Sequence, residues 1–465
     1  MRKDNKKIIF IIGLGKTGIS SAKLLNSKNK KVIIIEAKNT LKLKRIANEI
    51  KKDNIEVMLG TEFKYEIFKN YLSSIESIIV SPGINWQHPT LNILRKKGIE
   101  IKGEISLAWD ILKDPKWICI TGTNGKTTVT SLINHILCIN NISSIKGGNI
   151  GVSLSEIALK VTKKKIKTPK YIIAELSSFQ IEQSPEIKPF IGIWTTFTPD
   201  HLDRHKTLRN YFNIKNTLLK NSKNRIYNFD DKLLIKNKKS LKEGIWASAE
   251  KLINQKIPKY CINDSQEVCE GSNELFNYSS FKLIGKHNLQ NLSLVIAALR
   301  IIGIPARGIE KGIQSFKCLP HRMEAFYSYQ GIQFFNDSKA TNFESSIAGI
   351  KSLNTNSIII SGGRLKEGNP QSWAKVIAKK GFKVFLFGEA SLALENYIKQ
   401  EKEDIDIKTY EHLKDLISVV IEDALKNKVI NVMLSPACSS YDQYSNFEER
   451  GNNFKYLIKN FIESK

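Results

Sequence analysis

Short apolar runs separated by helix-period stretches recur along most of the chain. Between residues 6 and 104 the runs are "KIIFIIG", "KVIIIE" and "SIIVSPG", with helical patterns between them. This alternation predicts a small doubly wound α/β unit. A second series opens at "KWICITGTNGKTTVTSLINHIL" and continues through "YIIAELSSFQ" and "FIGIWTTFTPDHLDRH". It then crosses a Lys-rich stretch that reads as loop-heavy and closes at "LIGKHNLQNLSLVIAALRIIG". A third begins near "LPHRMEAF" and carries "SIIISGG", "KVFLFGE" and "VINVMLSP", strands ending at small or polar residues. The pattern shows no internal repeats. It predicts three α/β domains in series, over residues 1–104, 105–318 and 319–465.

Two of the strand ends carry nucleotide signatures. "IIGLGKTGISS" places Gly13, Gly15 and Gly18 after an apolar strand and before a helix, the spacing of a dinucleotide-binding turn. Glu36, ending the next apolar run, stands where a ribose-binding carboxylate would sit, so one reading is a nicotinamide-dependent dehydrogenase. The turn also contains G-K-T, but it lacks the upstream glycine of a triphosphate loop. "ICITGTNGKTTVT" is the stronger phosphate loop, again between a strand and a helix. Lys126 would reach the β- and γ-phosphates, and the Thr127 hydroxyl would ligate Mg²⁺. The general pattern wants Gly at position 120, where this chain has Ile120.

"YIIAELSSFQ" ends in Glu175, either the acidic strand end that holds Mg²⁺ in phosphate-loop enzymes or a solvent-facing carboxylate. "TPDHLDRH" packs Asp200, His201, Asp203, Arg204 and His205 together. Its H-x-x-x-H spacing permits zinc. A Mg²⁺ or substrate role for His201, with Asp200 as a helix cap and the other residues at the surface, needs no further ligand cluster. Asn288 and Asn291, three apart, suit either a base edge or the polar start of a helix. Arg322, and the strand end carrying Asp337, Ser338, Lys339 and Thr341, suit an anionic substrate or a plain surface loop. The small-residue turn "LSPACSSYDQYSNFEERG" has hydroxyls and N–H groups for a carboxylate.

Composition alters little. With 465 residues, 41% hydrophobic and 25% charged, the chain reads as soluble, globular and multidomain. No apolar run reaches the ~18 residues of a membrane helix, and "MRKDNKK" does not resemble a signal peptide. Cys119, Cys138, Cys261, Cys269, Cys318 and Cys438 are scattered without a C-x-x-C pair, which predicts reduced thiols in a cytoplasm. The net charge of +27 raises nucleic acid as a partner. The lysines, however, are spread along the chain without interleaved aromatics, which predicts solvated lysine and no nucleic-acid partner.

Taken together, "GTNGKTT", "ELSSFQ", "DHLDRH", "GKHNLQN", "LPHRME", "NDSKATN" and "LSPACSSYDQYSNFEERG" resemble the Mur ligases of peptidoglycan synthesis, in order and over essentially the whole chain. The last two stretches look like the family's D-glutamate-adding branch. The resemblance implies a Rossmann-like N-terminal domain, a central P-loop ATPase-type domain and a C-terminal Rossmann-like α/β domain. It implies ATP-dependent joining of D-glutamate to UDP-N-acetylmuramoyl-L-alanine through an acyl phosphate, by a cytoplasmic monomer using two Mg²⁺. Catalytic and metal roles then fall to Lys126, Thr127, Glu175, His201 and a carbamylated Lys215, with Lys220 nearby. ATP contacts fall to Gly122, Thr123, Asn124, Gly125, Lys126, Thr127, Thr128, Asn288, Asn291, Arg322 and Asp337. The UDP-substrate falls to Gly15, Lys16, Thr17, Ser81, Pro82, Gly83 and Asn149. D-Glutamate falls to Ser338, Lys339, Thr341, Ser440 and Phe447. On this reading the first glycine turn holds the substrate's diphosphate. Lys16 adds a phosphate contact or is solvated, and Glu36 meets the uridine end or merely closes a strand.

Overall fold

The computed structural model describes residues 7–464 except 52, 54, 251–257, 264, 354–356 and 367. It contains three sheets. β1 (Ile8–Ile12), β2 (Lys31–Glu36), β3 (Glu56–Leu59), β4 (Ile75–Val80) and β5 (Glu100–Gly103) form a parallel sheet in the order β3-β2-β1-β4-β5. The strand order reverses between β1 and β4, so the glycine turn after β1 and the Ser81–Gly83 turn after β4 share one crevice.

The second sheet holds β6 (Lys116–Thr121), β7 (Ser144–Gly148), β8 (Tyr171–Glu175), β9 (Ile191–Trp194) and β10 (Asn224–Asn228). It continues with β11 (Ile245–Ala247), β12 (Tyr260–Ile262), β13 (Glu267–Glu270) and β14 (Asn273–Asn277). The order is β14-β13-β12-β11-β10-β9-β6-β8-β7, parallel except for the β12-β13-β14 meander. Five of these strands, with the helix Leu208–Asn221, lie in the Lys-rich stretch expected to be loop-heavy. The strands there are only three to five residues long and flanked by Lys, Asn and Glu. Each buries little: in β13, Val268 and Cys269 are inside while Glu267 and Glu270 flank them half-buried.

The third sheet is β15 (Glu324–Tyr329), β16 (Ile332–Asn336), β17 (Ser357–Gly362), β18 (Gly381–Phe387), β19 (Ile407–Tyr410) and β20 (Asn431–Ala437). Its order is β15-β16-β20-β17-β18-β19, with only β15 antiparallel.

The chain divides into two compact units. One comprises Met1–Phe197, Asp203–Asn277 and Asn291–Gly312 and holds the first two sheets. The other comprises Thr198–Leu202, Tyr278–Gln290 and Ile313–Lys465 and holds the third. Within the first unit, the helix Lys16–Asn26 packs on the helix Leu154–Thr162 through small hydroxyl residues: Ser20 Oγ lies 2.7 Å from Ser153 Oγ, and Ser21 Oγ 3.2 Å from Ser155 Oγ. Beside them the buried Glu104 accepts the Ser155 N–H at 2.5 Å, and burial pushes its carboxyl above the usual range. All six cysteines are free thiols. Among the described residues no helix is long and apolar enough to cross a membrane.

Candidate active site

β6 delivers the chain, apolar and buried from Trp117 to Ile120, into the turn Thr121–Gly125. Ile120, where the general motif has glycine, pairs with Glu175 on one side and Ile193 on the other, so it belongs to the strand and the loop starts later. Gly122 (φ +147°) and Gly125 (φ +85°) have backbone conformations that side chains rarely adopt. A Cβ would also collide with Thr195 Oγ1 at the first and Asn291 Oδ1 at the second. The Thr123 N–H donates to Thr196 O at 2.8 Å and the Asn124 N–H to Thr196 Oγ1 at 2.8 Å, which pins the loop to the end of β9. Lys126 opens the helix Lys126–Ile139 and turns its ammonium into the loop, 2.7 Å from Gly122 O and 2.8 Å from Thr123 O. Thr127 is half-buried beside it and Thr128 is buried.

Glu175 ends β8, the strand next to β6, and only 2% of it is exposed. Its Oε1 accepts the Asn149 amide at 2.9 Å, whereas its buried Oε2 has no hydrogen-bond partner among the described residues. That excludes the solvent-facing alternative. A buried carboxylate oxygen left over beside a phosphate loop fits a divalent cation held by hard oxygen donors. Lys215, on the helix Leu208–Asn221, is also buried. Its Nζ lies 3.1 Å from Gly122 O and 3.3 Å from Thr121 Oγ1, above the Tyr211 ring at 4.6 Å. Lys220, the neighbouring lysine, is exposed. The loop, Glu175, Asn149 and Lys215 therefore converge at one end of the second sheet.

His201 lies in the Thr198–Leu202 segment of the other unit, at φ +55°. Its N–H donates to Asp200 Oδ1 at 3.1 Å, and its Nε2 is 3.6 Å from Asp200 Oδ2. His205 corrects the expectation of a surface position. It is buried, bonded at 2.8 Å to Ser178 Oγ and stacked on Tyr211 at 5.1 Å, a packing role that accounts for the second histidine without zinc. Arg204 is not a surface residue either. It donates to Ile84 O at 3.0 Å, lies over Phe179 and stands 3.6 Å from Glu182. With Gln183, whose amide donates to Ser81 O at 3.2 Å and Ile84 O at 3.3 Å, it holds the turn after β4. Gln183 carried no motif signal. Asn288 and Asn291 are both buried on the helix Lys286–Ile301, and Asn288 donates to Ile284 O at 2.7 Å.

In the first glycine turn, Gly13 has φ +102°, and a Cβ on Gly18 would collide with the Gly13 carbonyl. Gly15 caps the helix that Lys16 and Thr17 begin, and nothing crowds its Cα. Glu36 Oε2 accepts the Leu14 N–H at 2.9 Å and its Oε1 the Lys38 N–H at 3.0 Å. The carboxylate thus braces the turn itself, which removes the ribose ligand from the dehydrogenase reading. Lys16 Nζ donates to Gly151 O, linking this turn to the loop that carries Asn149. Ser81 Oγ is buried without a partner among the described residues, while Pro82 and Gly83 are more open.

In the third sheet, the end of β16 carries Asp337 and Ser338, both buried. Asp337 Oδ1 accepts the Met323 N–H at 3.1 Å, and Ser435 Oγ approaches Oδ2 at 3.4 Å. Burial pushes the Asp337 carboxyl up to about 7, against the opposing influence of the Met323 N–H and the Arg322 charge. Lys339 Nζ lies 3.7 Å from the Phe447 ring centroid. Ser338 Oγ donates to Phe447 O at 2.8 Å, and Thr341 closes the same turn through Lys339 O at 2.8 Å. Ser440 is buried in the loop after β20. The residue that sequence reasoning missed here is Arg450, buried one turn into the helix Phe447–Glu463 and bonded to Ser338 and Ser439. Its signal was the "ERG" at the end of the last motif.

The family description "Mur ligase MurD-like, N-terminal domain" matches residues 7–103, and "Mur ligase middle domain" matches residues 120–299. A UDP-N-acetylmuramoylalanine--D-glutamate ligase of Prochlorococcus marinus (strain MIT 9312) is 48% identical over 98% of this chain and 97% of its own. Another of the same name, from strain MIT 9515 of that species, is 47% identical over 98% and 95%. Among solved structures, the UDP-N-acetylmuramate-alanine ligase MurC of Thermotoga maritima superposes with a TM-score of 0.60 at 17% identity, covering 99% of this chain and 100% of that one, a likeness of fold. By sequence over nearly its whole length, and by fold, the chain belongs to the Mur ligase family.

Proposed function

We propose that the chain joins D-glutamate to UDP-N-acetylmuramoyl-L-alanine, with ATP converted to ADP and phosphate. The observation that carries phosphoryl transfer is the buried Glu175 Oε2, without a hydrogen-bond partner among the described residues, beside the Gly122–Lys126 loop. The choice of substrates rests on the name shared by relatives up to 48% identical.

The reaction must make a carboxylate electrophilic and then bring an amine to it. The alanine carboxylate of the nucleotide attacks the γ-phosphate and ADP leaves. The D-glutamate amine adds to the acyl phosphate carbonyl, and phosphate departs as the amide forms. Two anions have to approach each other, so cations are needed between them. Lys126 turns from its loop carbonyls to the β- and γ-phosphates, and the N-terminus of the helix it opens faces the same oxygens. Thr127, Glu175, His201 and Lys215 would hold two Mg²⁺ ions, which supply charge neutralisation on the phosphates when bound. An ammonium at Lys215 would oppose that. Carbamylation, in which the neutral amine adds to CO₂ and releases a proton, turns its buried end into an anion.

The glycine turn with Gly15, Lys16 and Thr17, the Ser81–Gly83 turn and Asn149 hold the UDP-substrate. Asn149, bonded to Glu175, links that substrate to the metal carboxylate. Thr123, Asn124, Thr128, Asn288, Asn291, Arg322 and Asp337 serve ATP, and Ser338, Lys339, Thr341, Ser440 and Phe447 serve D-glutamate. Domain boundaries at 104/105 and 318/319, a monomeric state and a cytoplasmic location complete the reading. Phosphate release with UDP-N-acetylmuramoyl-L-alanine and a panel of amino acids tests it. D-Glutamate should support turnover. Turnover with L-glutamate, L-alanine or diaminopimelate and none with D-glutamate would overturn it.

A further inference from the structure

Arg450 is 0% exposed, yet among the described residues its guanidinium meets no carboxylate. Nε donates to Ser338 Oγ at 3.1 Å. Nη2 donates to Ser338 O at 2.9 Å and Cys438 O at 3.1 Å. Nη1 donates to Ser439 O at 3.2 Å and Gly362 O at 3.3 Å. Burial lowers its pKa to about 10, which still leaves it charged at neutral pH. Burying a charge is expensive; four backbone carbonyls and a hydroxyl solvate this one, and the Asp442 carboxylate favours it from beyond contact distance.

Those acceptors lie where three separate strands give way to turns: just after β16, at the last residue of β17 and just after β20. All three are at the carboxyl ends of neighbouring strands, where open α/β sheets bind ligands. A Cβ on Gly363 would reach Arg450 Nη1 at 3.0 Å, so the β17 turn is fitted closely around the guanidinium. The Ser439 carbonyl belongs to the Ser439–Ser440 peptide. At the other end of that peptide the Ser440 N–H donates to nothing among the described residues, although Ser440 is 3% exposed. A carbonyl drawn to a cation strengthens its own peptide N–H as a donor. A peptide N–H polarised in this way suits a carboxylate.

We infer that Arg450 is the positioning residue of the amino-acid pocket: its fork fixes the three turns, and its buried charge favours an acceptor amino acid with a second carboxylate. The inference rests on the function proposed above. The residue acts through Ser338, Lys339 and Ser440 rather than by touching substrate.

The test uses the full-length chain with Arg450→Met, which keeps bulk and removes charge and donors, and Arg450→Lys, which keeps charge and loses the fork. Melting temperature and the KM of all three substrates are measured, with the kcat/KM ratio of D-glutamate over D-glutamine. Arg450→Met should raise the KM for D-glutamate about tenfold or more, the size expected for losing charge-assisted hydrogen bonds. The KM values for ATP and the UDP-substrate should stay within about twofold, and the D-glutamate preference should fall. Arg450→Lys should restore most of that preference with an intermediate KM. A folded Arg450→Met chain with unchanged D-glutamate KM or unchanged preference overturns the inference, and so does a parallel rise in all three KM values. If Arg450→Met does not fold, a wild-type D-glutamate KM in Arg450→Lys overturns it alone. A wild-type chain that ignores D-glutamate refutes the proposed reaction instead, and so separates the two failures.

Discussion

Lys215 and Asp337 are both buried ionisable groups, and each makes a separate prediction. Lys215→Ala removes a buried lysine whose Nζ reaches Thr121 and Gly122. If its carbamate supports the metal site, activity should fall by about 10² or more, as for other groups that stabilise developing charge. Short carboxylic acids, which fit the space left and replace the anion, should restore part of it in a phosphate-release assay. Full activity of the alanine variant without additives would remove the carbamate from the mechanism. Asp337 concerns stability. Its carboxyl sits at about 7 in the fold against an ordinary 3.8, so between those values the folded chain binds the proton more tightly than the unfolded chain. The associated stability is present below the unfolded value and is lost as pH rises through about 7. Asp337→Asn keeps an acceptor for the Met323 N–H without the charge. Urea midpoints for the third-sheet unit should therefore decline less from pH 5 to pH 8 in the variant than in the parent chain. An equal decline in both would show that Asp337 is not the titrating group.

At the scale of elements, the junction between the first glycine turn and its helix gives another. Gly18 lies on the helix Lys16–Asn26, and any Cβ there meets the Gly13 carbonyl. Gly18→Ala must push the helix off the turn, an overpacking cost of about 1–3 kcal/mol. The turn is also where the diphosphate is proposed to bind, so the KM for the UDP-substrate should rise while that for ATP holds. Unchanged melting and unchanged UDP-substrate KM would mean the turn has slack.

This element was legible because its strand is apolar throughout and glycine punctuates it at a spacing with a mechanical reason. The same holds for β6 with its phosphate loop and for β8 ending in Glu175. The meander β12-β13-β14 was not legible, since strands of three to five residues in a Lys- and Asn-rich context bury too few positions to show a period. Nor were Gln183, Arg204 as a brace, His205 as a packed ring or Arg450 legible in their roles. Each acts on backbone carbonyls or rings far away in sequence, and no local spacing encodes such partners. Glu36 shows the converse: its position matched a ribose ligand, but only the fold shows it spent on the Leu14 N–H.

Across the whole molecule the net charge is +27, from 72 Lys and Arg against 45 Asp and Glu. A nucleic-acid surface would need these cations gathered on one face beside stacking aromatics. The charged contacts are instead local and dispersed. Lys383 is bound by Asp406 at 2.9 Å and Asp423 at 2.5 Å on the third sheet. Lys30 meets Glu76 at 2.8 Å in the first, and Arg300 meets Glu270 at 3.0 Å in the second. Several aromatics near lysines, such as Phe190 under Lys116 and Trp246 under Lys238, are engaged within the fold rather than arrayed for bases. The excess charge should act as a diffuse field that favours anionic substrates weakly and is screened over about 8 Å at physiological salt. A protein that neutralises six to ten nucleic-acid phosphates loses about 10³–10⁵ in affinity between 50 and 200 mM salt. Here the KM for the UDP-substrate should change by no more than about tenfold over that range, since only the few cations near one diphosphate release counterions. Duplex DNA or single-stranded RNA added at saturating ATP should leave the phosphate-release rate unchanged. A rate that rises with nucleic acid and collapses with salt along the steep slope would establish a basic binding face and give the lysine excess a function of its own.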